Sequence, residues 1–262
     1  MSPATDDGAT PALPADSAGQ PWAGRSFEAN AHSADDGSAP AELVDALARF
    51  RGNDVGASVV VDAFRGSRLL IPLLAELGES AEGVHGLAAD KSQELSIVTV
   101  AGPDGRKVLP VFSSVEAMTR WNPVARPVPA DGVRVALAAA DDGTDLVVLD
   151  AGSSTEFAIR RPAVWSIARS LEWRPSYADP AVEQAFARSI ETELAVVGVD
   201  LDSGDPDHRL AGPELLVRLR ILAGLTRTEL DAVLARLASR WAADDVIAER
   251  VDSLAVRIVA AD

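Results

Sequence analysis

The chain has 262 residues, 47% of them hydrophobic and 24% charged, with a formal net charge of -16 and no cysteine. This describes a folded protein with ample core, and it excludes disulfides, thiolate metal sites and cysteine nucleophiles. Phosphate recognition needs a Lys/Arg footprint, so the acidic balance argues against nucleic acid and anionic membrane as primary partners.

Read from the start, residues 1–38 carry Pro, Gly, Ala, Ser and acids without periodicity, the composition of a disordered acidic tail. Trp22 and Phe27 are its only large apolar groups of aromatic type. Met1 to Gln20 has neither the basic start nor the apolar centre of a secretory signal, and no apolar run approaches the ~18 residues of a membrane-crossing helix. A cytoplasmic location is therefore expected.

From Pro40 the pattern turns helical, with Leu43, Ala46, Leu47 and Phe50 on one face and a stop at Gly52-Asn53. A second helix is expected over 54–65 from Val55, Val59, Val60, Ala63 and Phe64, in preference to a strand through Val59–Val61. Residues 68–77 read as a buried strand interrupted by Pro72, and 78–91 as a loop. Leu95 to Val100 and Lys107 to Phe112, joined by Gly102-Pro103-Asp104-Gly105, form an expected β-hairpin. Pro110 puts the second strand at an edge or turns its nitrogen outward. That strand runs straight into a helix ending near Trp121, and Ser113 and Glu116 are spaced as a capping box.

Asn122-Pro123 ends this helix, and Arg126 to Pro129 reads as an extended linker. Val133, Leu137 and Ala140 suggest a short helix starting at Asp131. Residues 145–150 form a buried strand, Gly152-Ser153-Ser154 turns into Glu156 to Ile159, and Pro162 opens a helix with Val164, Ile167, Ala168 and Leu171 inward. Glu172 to Ser176 is the best boundary. Beyond it, Asp179-Pro180 starts a helix with Val182, Phe186 and Ile190 on one face. Strands follow over 194–202 and 214–222, then a helix capped by Thr226 and Glu229 with Leu225 and Leu230 as its staple, then a last strand over 253–259. The expected fold class is α+β, helices packed on mixed β-sheet. The expected segments are a 1–38 tail, a 39–172 α+β domain and a smaller 173–262 αββαβ domain.

With these residues in place, the region of about 40–172 resembles the N-terminal domain of the SseB family, named for enhanced serine sensitivity. The hairpin ending in Leu109-Pro110-Val111-Phe112-Ser113-Ser114, followed by the helix with Trp121, carries the resemblance. The elements over 131–150 and the pair of short elements ending at Pro162 also fit. Residues 173–262 are similar to that family's C-terminal domain through weaker motifs. Ser113 stands where the family pattern leads one to expect Thr, and either hydroxyl caps a helix. The resemblance implies a bacterial cytosolic protein with no established catalytic residue, and it transfers no site.

The chemistry-bearing residues agree. No Gly-x-Gly-x-x-Gly, Walker loop, Gly-x-Ser-x-Gly or His-Glu-x-x-His is present, and the three histidines, His32, His85 and His208, fall in expected loops or the tail. Asp200, Asp202, Asp205, Asp207 and His208 resemble a hard-cation loop, but Ala211 stands where an EF-hand carries its bidentate Glu, and Asp, Gly and Pro are also ordinary turn residues. Arg160 and Arg161 before Pro162 are candidates for an anion site at a helix start, or else a surface pair with acidic neighbours. Pro110, Phe112, Ser113, Met118 and Trp121 are candidates for an interaction surface, or else core. The expectation is a non-enzymatic cytosolic binding or regulatory module with an unidentified protein partner and no cofactor. The alternatives are a sensor of small anionic, amino-acid-type metabolites and, with less support, a metal hydrolase built on the 200–208 acids.

Overall fold

A computed structural model describes residues 35–76, 94–103, 105–144 and 146–261. The expected tail up to residue 34, with Trp22, Phe27 and His32, and the expected 78–91 loop, with His85, lie outside the described residues. The elements in chain order are α1 (Ala41–Arg51), α2 (Ala57–Gly66), β1 (Arg68–Glu76), β2 (Glu94–Ile97), β3 (Val100–Ala101), β4 (Lys107–Val111), α3 (Val115–Trp121), β5 (Arg126–Asp131), α4 (Gly132–Asp141), β6 (Val147–Leu149), β7 (Phe157–Ile159) and α5 (Arg161–Ala168). A short 3-10 turn (Ser176–Ala178) leads into α6 (Pro180–Ile190), β8 (Val196–Ser203), β9 (Leu215–Leu222), α7 (Arg227–Ala242), α8 (Asp245–Arg250) and β10 (Leu254–Ala261). The α+β class expected from the sequence is what is observed.

The first half is organised on a four-stranded sheet of order β3-β4-β6-β7, in which β4 and β6 run parallel. Leu109 and Val111 of β4, Val147 and Leu149 of β6, and Phe157 and Ile159 of β7 face a core shared with α1, α2, α4 and α5. The alternate residues Val108, Val148 and Ala158 face the other way, onto Leu210. This period-two division is why β4 is buried on both faces. Leu109 N donates to Leu146 O and Asp150 N to Val111 O, so the odd-numbered positions bond β6. Pro110 therefore turns its nitrogen away, where β3 has already ended.

The remaining first-half strands differ from the expected hairpin. Residues 94–97 pair antiparallel with β1, and only Val100–Ala101 pairs with β4. The expected linker 126–129 is strand β5, antiparallel to β1, with Pro129 opposite Leu70 and Pro127 opposite Pro72. Leu70 exchanges both main-chain bonds with Phe112 on its other side. Positions opposite Leu70 and Pro72 are therefore the non-bonded pairs of the β1–β5 ladder, where proline removes no donor.

Helix α4 starts at Asp131, whose carboxylate accepts from Arg134 N, but its buried face is Gly132, Val135, Ala136 and Ala139, and Leu137 is exposed. Gly132 sits against α2 so closely that a Cβ there would stand 2.2 Å from Phe64 O. Leu171, expected inward, lies beyond the end of α5 and is exposed.

The second half follows the expected order, with α7 and α8 as separate helices. Its sheet runs β10-β9-β8, β10 parallel and β8 antiparallel to β9. Leu215, Val217, Leu219 and Ile221 of β9 face a core with Val182, Phe186, Val233, Leu237 and Trp241. The Asp179 cap, the Thr226–Glu229 capping box and the staple residues Leu225 and Leu230 are in place. Residues 37–262 form one compact unit. Within it, the core built from residues 43–173 and the core built from residues 182–251 are separate.

Candidate functional site

Three places are candidates, and the first two bring polar side chains together around residues singled out in the sequence. The first is the β4–α3 junction. Ser114 caps α3, accepting from Ala117 N at 3.1 Å, so the cap falls one residue later than expected and, with alanine at the third helical position, the expected Ser113–Glu116 capping box does not form. Ser113 is engaged elsewhere. Its N–H donates to Asp150 Oδ1 and its hydroxyl to Asp150 Oδ2, both at 2.8 Å, and Thr155 Oγ1 donates to Asp150 Oδ2 at 2.9 Å. Asp150 is buried and holds φ +50°, a region Asp tolerates better than most residues. The carboxylate ties the ends of two parallel strands together. Asp150→Asn keeps the backbone preference but turns an amide donor toward one of these three donors. It is expected to cost about 2 kcal/mol in a urea titration, and an unchanged midpoint would remove this role.

Beside this junction, Phe112 and Met118 are in the interior with Leu70 and Ala117, and Pro110 is buried as well. Trp121 is half-buried, its ring 5.2 Å from Phe112. Of the residues considered for a recognition surface, Phe112, Met118 and Trp121 thus belong to a satellite core, Pro110 and Ser113 are buried beside it, and Trp121 alone is partly exposed.

The second place is the seam between the halves. Arg160 is 4% exposed. Its Nη2 donates to Asp205 Oδ2 at 2.6 Å and Gly212 O at 2.8 Å, and its Nη1 to Asp252 Oδ2 at 3.2 Å and Ser253 Oγ at 3.3 Å. Asp205 also accepts from the amides of Arg209, Leu210 and Ala211. Burial alone would push its carboxyl up, but Arg160 and these amides outweigh it and hold it below the ordinary carboxylate range. Glu214, accepting from Asp252 N, is pushed up by burial. Arg161 donates to Ala248 O and Val251 O and lies over Trp165. Both candidate anion-site arginines are thus spent on the protein's own groups, one of them buried.

The same loop carries His208, expected in a loop and found buried there. Its ring stacks on Phe157 at 4.7 Å, with Phe50 and Trp173 edge-on. Nδ1 is 3.3 Å from Ala158 O, and Ala158 N donates to His208 O. The acids around it diverge. Asp200 and Asp202 pair with Arg220 and Arg218 across β8–β9, Asp205 with Arg160 and Asp207 with Arg51. Among the described residues no three His, Asp or Glu side chains are grouped to hold a metal ion.

The third place is the set of sheet edges. Exposed edges invite pairing with another chain unless something blocks it. β5 carries two prolines, β3 has two residues, and β7 is covered by His208. β8 has a register shift between Val196 and Gly198 and carries Asp200 and Asp202. β10 is eight residues long with no proline, no acid and no irregular register, and Val256, Ile258 and Val259 on it are about 40% exposed (38%, 44% and 39%). Among the described residues no helix makes more than marginal contact with it. No sequence motif marks this edge. Its sign is a terminal strand apolar on both faces.

The protein so described is an α+β protein with two main cores, whose candidate site residues Arg160, Arg161, Ser113 and His208 are engaged by the protein's own groups and whose last strand has an open edge among the described residues. Residues 43–166 match the SseB protein N-terminal domain, so this region carries the N-terminal domain of the SseB family. No curated protein and no solved structure matches it. Among the described residues, no helix is long and apolar enough to cross a membrane.

Proposed function

We propose that this chain is a non-enzymatic cytosolic binding or regulatory module that acts through protein–protein contacts, with the free edge of β10 as its docking element. The observation that carries the reading is the contrast between β10 and the blocked edges of β3, β5, β7 and β8. Main-chain pairing at such an edge supplies affinity, and alternate side chains supply specificity. The Ser113–Asp150 pair and the His208 ring, the nearest approach to acid–base chemistry, are buried and committed to neighbouring groups. Tagged full-length protein should capture a chain at near one-to-one ratio, and Ile258→Lys should lose it. Equal capture by both proteins, or turnover of a metabolite abolished by a single polar substitution, would overturn the reading.

A metabolite-sensor reading has one observation in its favour. A cleft of about 170 Å³ lies between α5 and α8, lined by Trp165, Arg169, Trp173, Arg174 and Arg250. Its arginines are already paired, with Glu249, Glu172 and Asp179, so an anion would have to displace a carboxylate. A melting temperature that climbs with the concentration of one amino acid or nucleotide, and not with salt alone, would support a sensor.

A further inference from the structure

We propose that β10 pairs antiparallel with β10 of a second copy of this chain, joining two three-stranded sheets into one six-stranded sheet about a two-fold axis at Ile258. This rests on the reading of β10 as the docking edge and names its occupant. Ser253 O accepts from Leu215 N. In a parallel ladder this turns the main-chain groups of residues 255, 257, 259 and 261 toward β9, and leaves those of Leu254, Val256, Ile258 and Ala260 pointing outward.

That parity selects the register. Outward-facing residues must oppose one another to exchange bonds, so the axis falls on a residue rather than between two. With Ile258 on the axis, Val256 meets Ala260 of the second copy and Arg257 meets its Val259. The central stretch then gains about six main-chain bonds, two per bonded pair. Moving the axis to Val256 would leave the end of the strand unpaired. Moving it to Arg257 would set two guanidinium groups directly opposite, which is repulsive.

Charge and space point the same way. The chain carries a net charge of -16, so most of its surface repels another copy. Between Leu254 and Ala261 there is no acid, and Arg257 is the single charged side chain. Val256 and Ile258 lie on the same face as the buried Val217 and Leu219, yet they project past the helix layer. A second strand carrying the same residues covers them and meets no helix on that edge. Isologous pairing of this kind closes the assembly at two copies.

The chain lacks cysteine, so a single introduced one reports the axis. Bonded antiparallel pairs place Cα atoms about 5.5 Å apart, within disulfide range. Ile258→Cys should cross-link to a covalent dimer under mild oxidant, and Val197→Cys on the β8 edge should not. In light scattering the wild type should approach twice 27.4 kDa as concentration rises, while Ile258→Lys and Ile258→Pro stay at the single-chain mass with unchanged circular dichroism. Proline at 258 removes only an outward amide, so it tests the edge without touching the β9 ladder. A wild type monomeric at every concentration overturns the proposal, as does a dimer that survives both variants or cross-links equally at 197. If the monomeric chain captures a different protein and Ile258→Lys loses it, self-pairing falls and the docking edge stands. If no capture depends on Ile258, both fall.

Discussion

Replacing Arg160 by alanine is expected to remove about 3–5 kcal/mol of folding stability, a large share of what a domain of this size holds. Arg160 answers Asp205 and Asp252, whose side chains are 2% and 1% exposed. Without it, Asp205 retains three amides and Asp252 retains Arg106, which bonds its Oδ1 at 2.9 Å. Neither arrangement restores the charge balance inside the seam. The cost comes from carboxylates left in low dielectric rather than from the loss of an intrinsically strong bond. Arg160→Lys should recover only part of it, since one ammonium cannot span the positions the planar fork reaches. Arg106→Ala, at a more exposed site, should cost clearly less. Urea titration read by tryptophan fluorescence would measure all three. A loss below about 1 kcal/mol for Arg160→Ala would show that the seam is not what holds the two cores together.

Why Arg160 looked like a surface residue in the sequence is instructive. Its partners lie at 205 and 252, and nothing local marks a contact across 45 or 92 residues. The same limit explains the other corrections. Ser113 has the spacing of a cap, but Asp150, 37 residues on, claims it and Ser114 caps instead. Two prolines in 126–129 argue against a strand until the neighbouring strand shows that their nitrogens point outward. Residues 94–97 carry strand character but pair with β1 rather than within a hairpin. What was legible is what a few consecutive residues decide. Asp179-Pro180 and Thr226-x-x-Glu229 each fix a helix start through bonds spanning two or three residues. The face of α4 was misplaced because Gly132, which permits the close approach to α2, carries no apolar signal. The SseB resemblance rested on the order of elements, which survives such errors.

Lowering the pH from 6.5 to about 4 is expected to remove about 3 kcal/mol through His208 alone. Burial lowers its pKa to about 4, with Arg160 and Arg51 adding to the effect and Ala158 O and Asp205 opposing it. An unfolded histidine takes up its proton near pH 6.5, whereas the folded one resists until about pH 4. The contribution is therefore complete above pH 6.5, declines as pH falls through that window, and is gone below about 4. Asp205 and Glu193, held below their ordinary values, add to the loss from the lower end of this window downward, as the unfolded carboxylates take up protons first. Glu214 acts in the opposite sense: its raised pKa favours the neutral acid in the folded state, so acidification helps it. The difference between wild type and a variant isolates the histidine. His208→Asn suits the backbone, since φ at this position is +50° and Asn tolerates that region. It gives up the stack on Phe157, so it should be less stable at pH 7. Its stability should nevertheless fall less between pH 6.5 and 4, and the two curves should converge. Parallel curves across that window would mean that the ring is protonated without cost, and that the seam opens to water more readily than its packing implies.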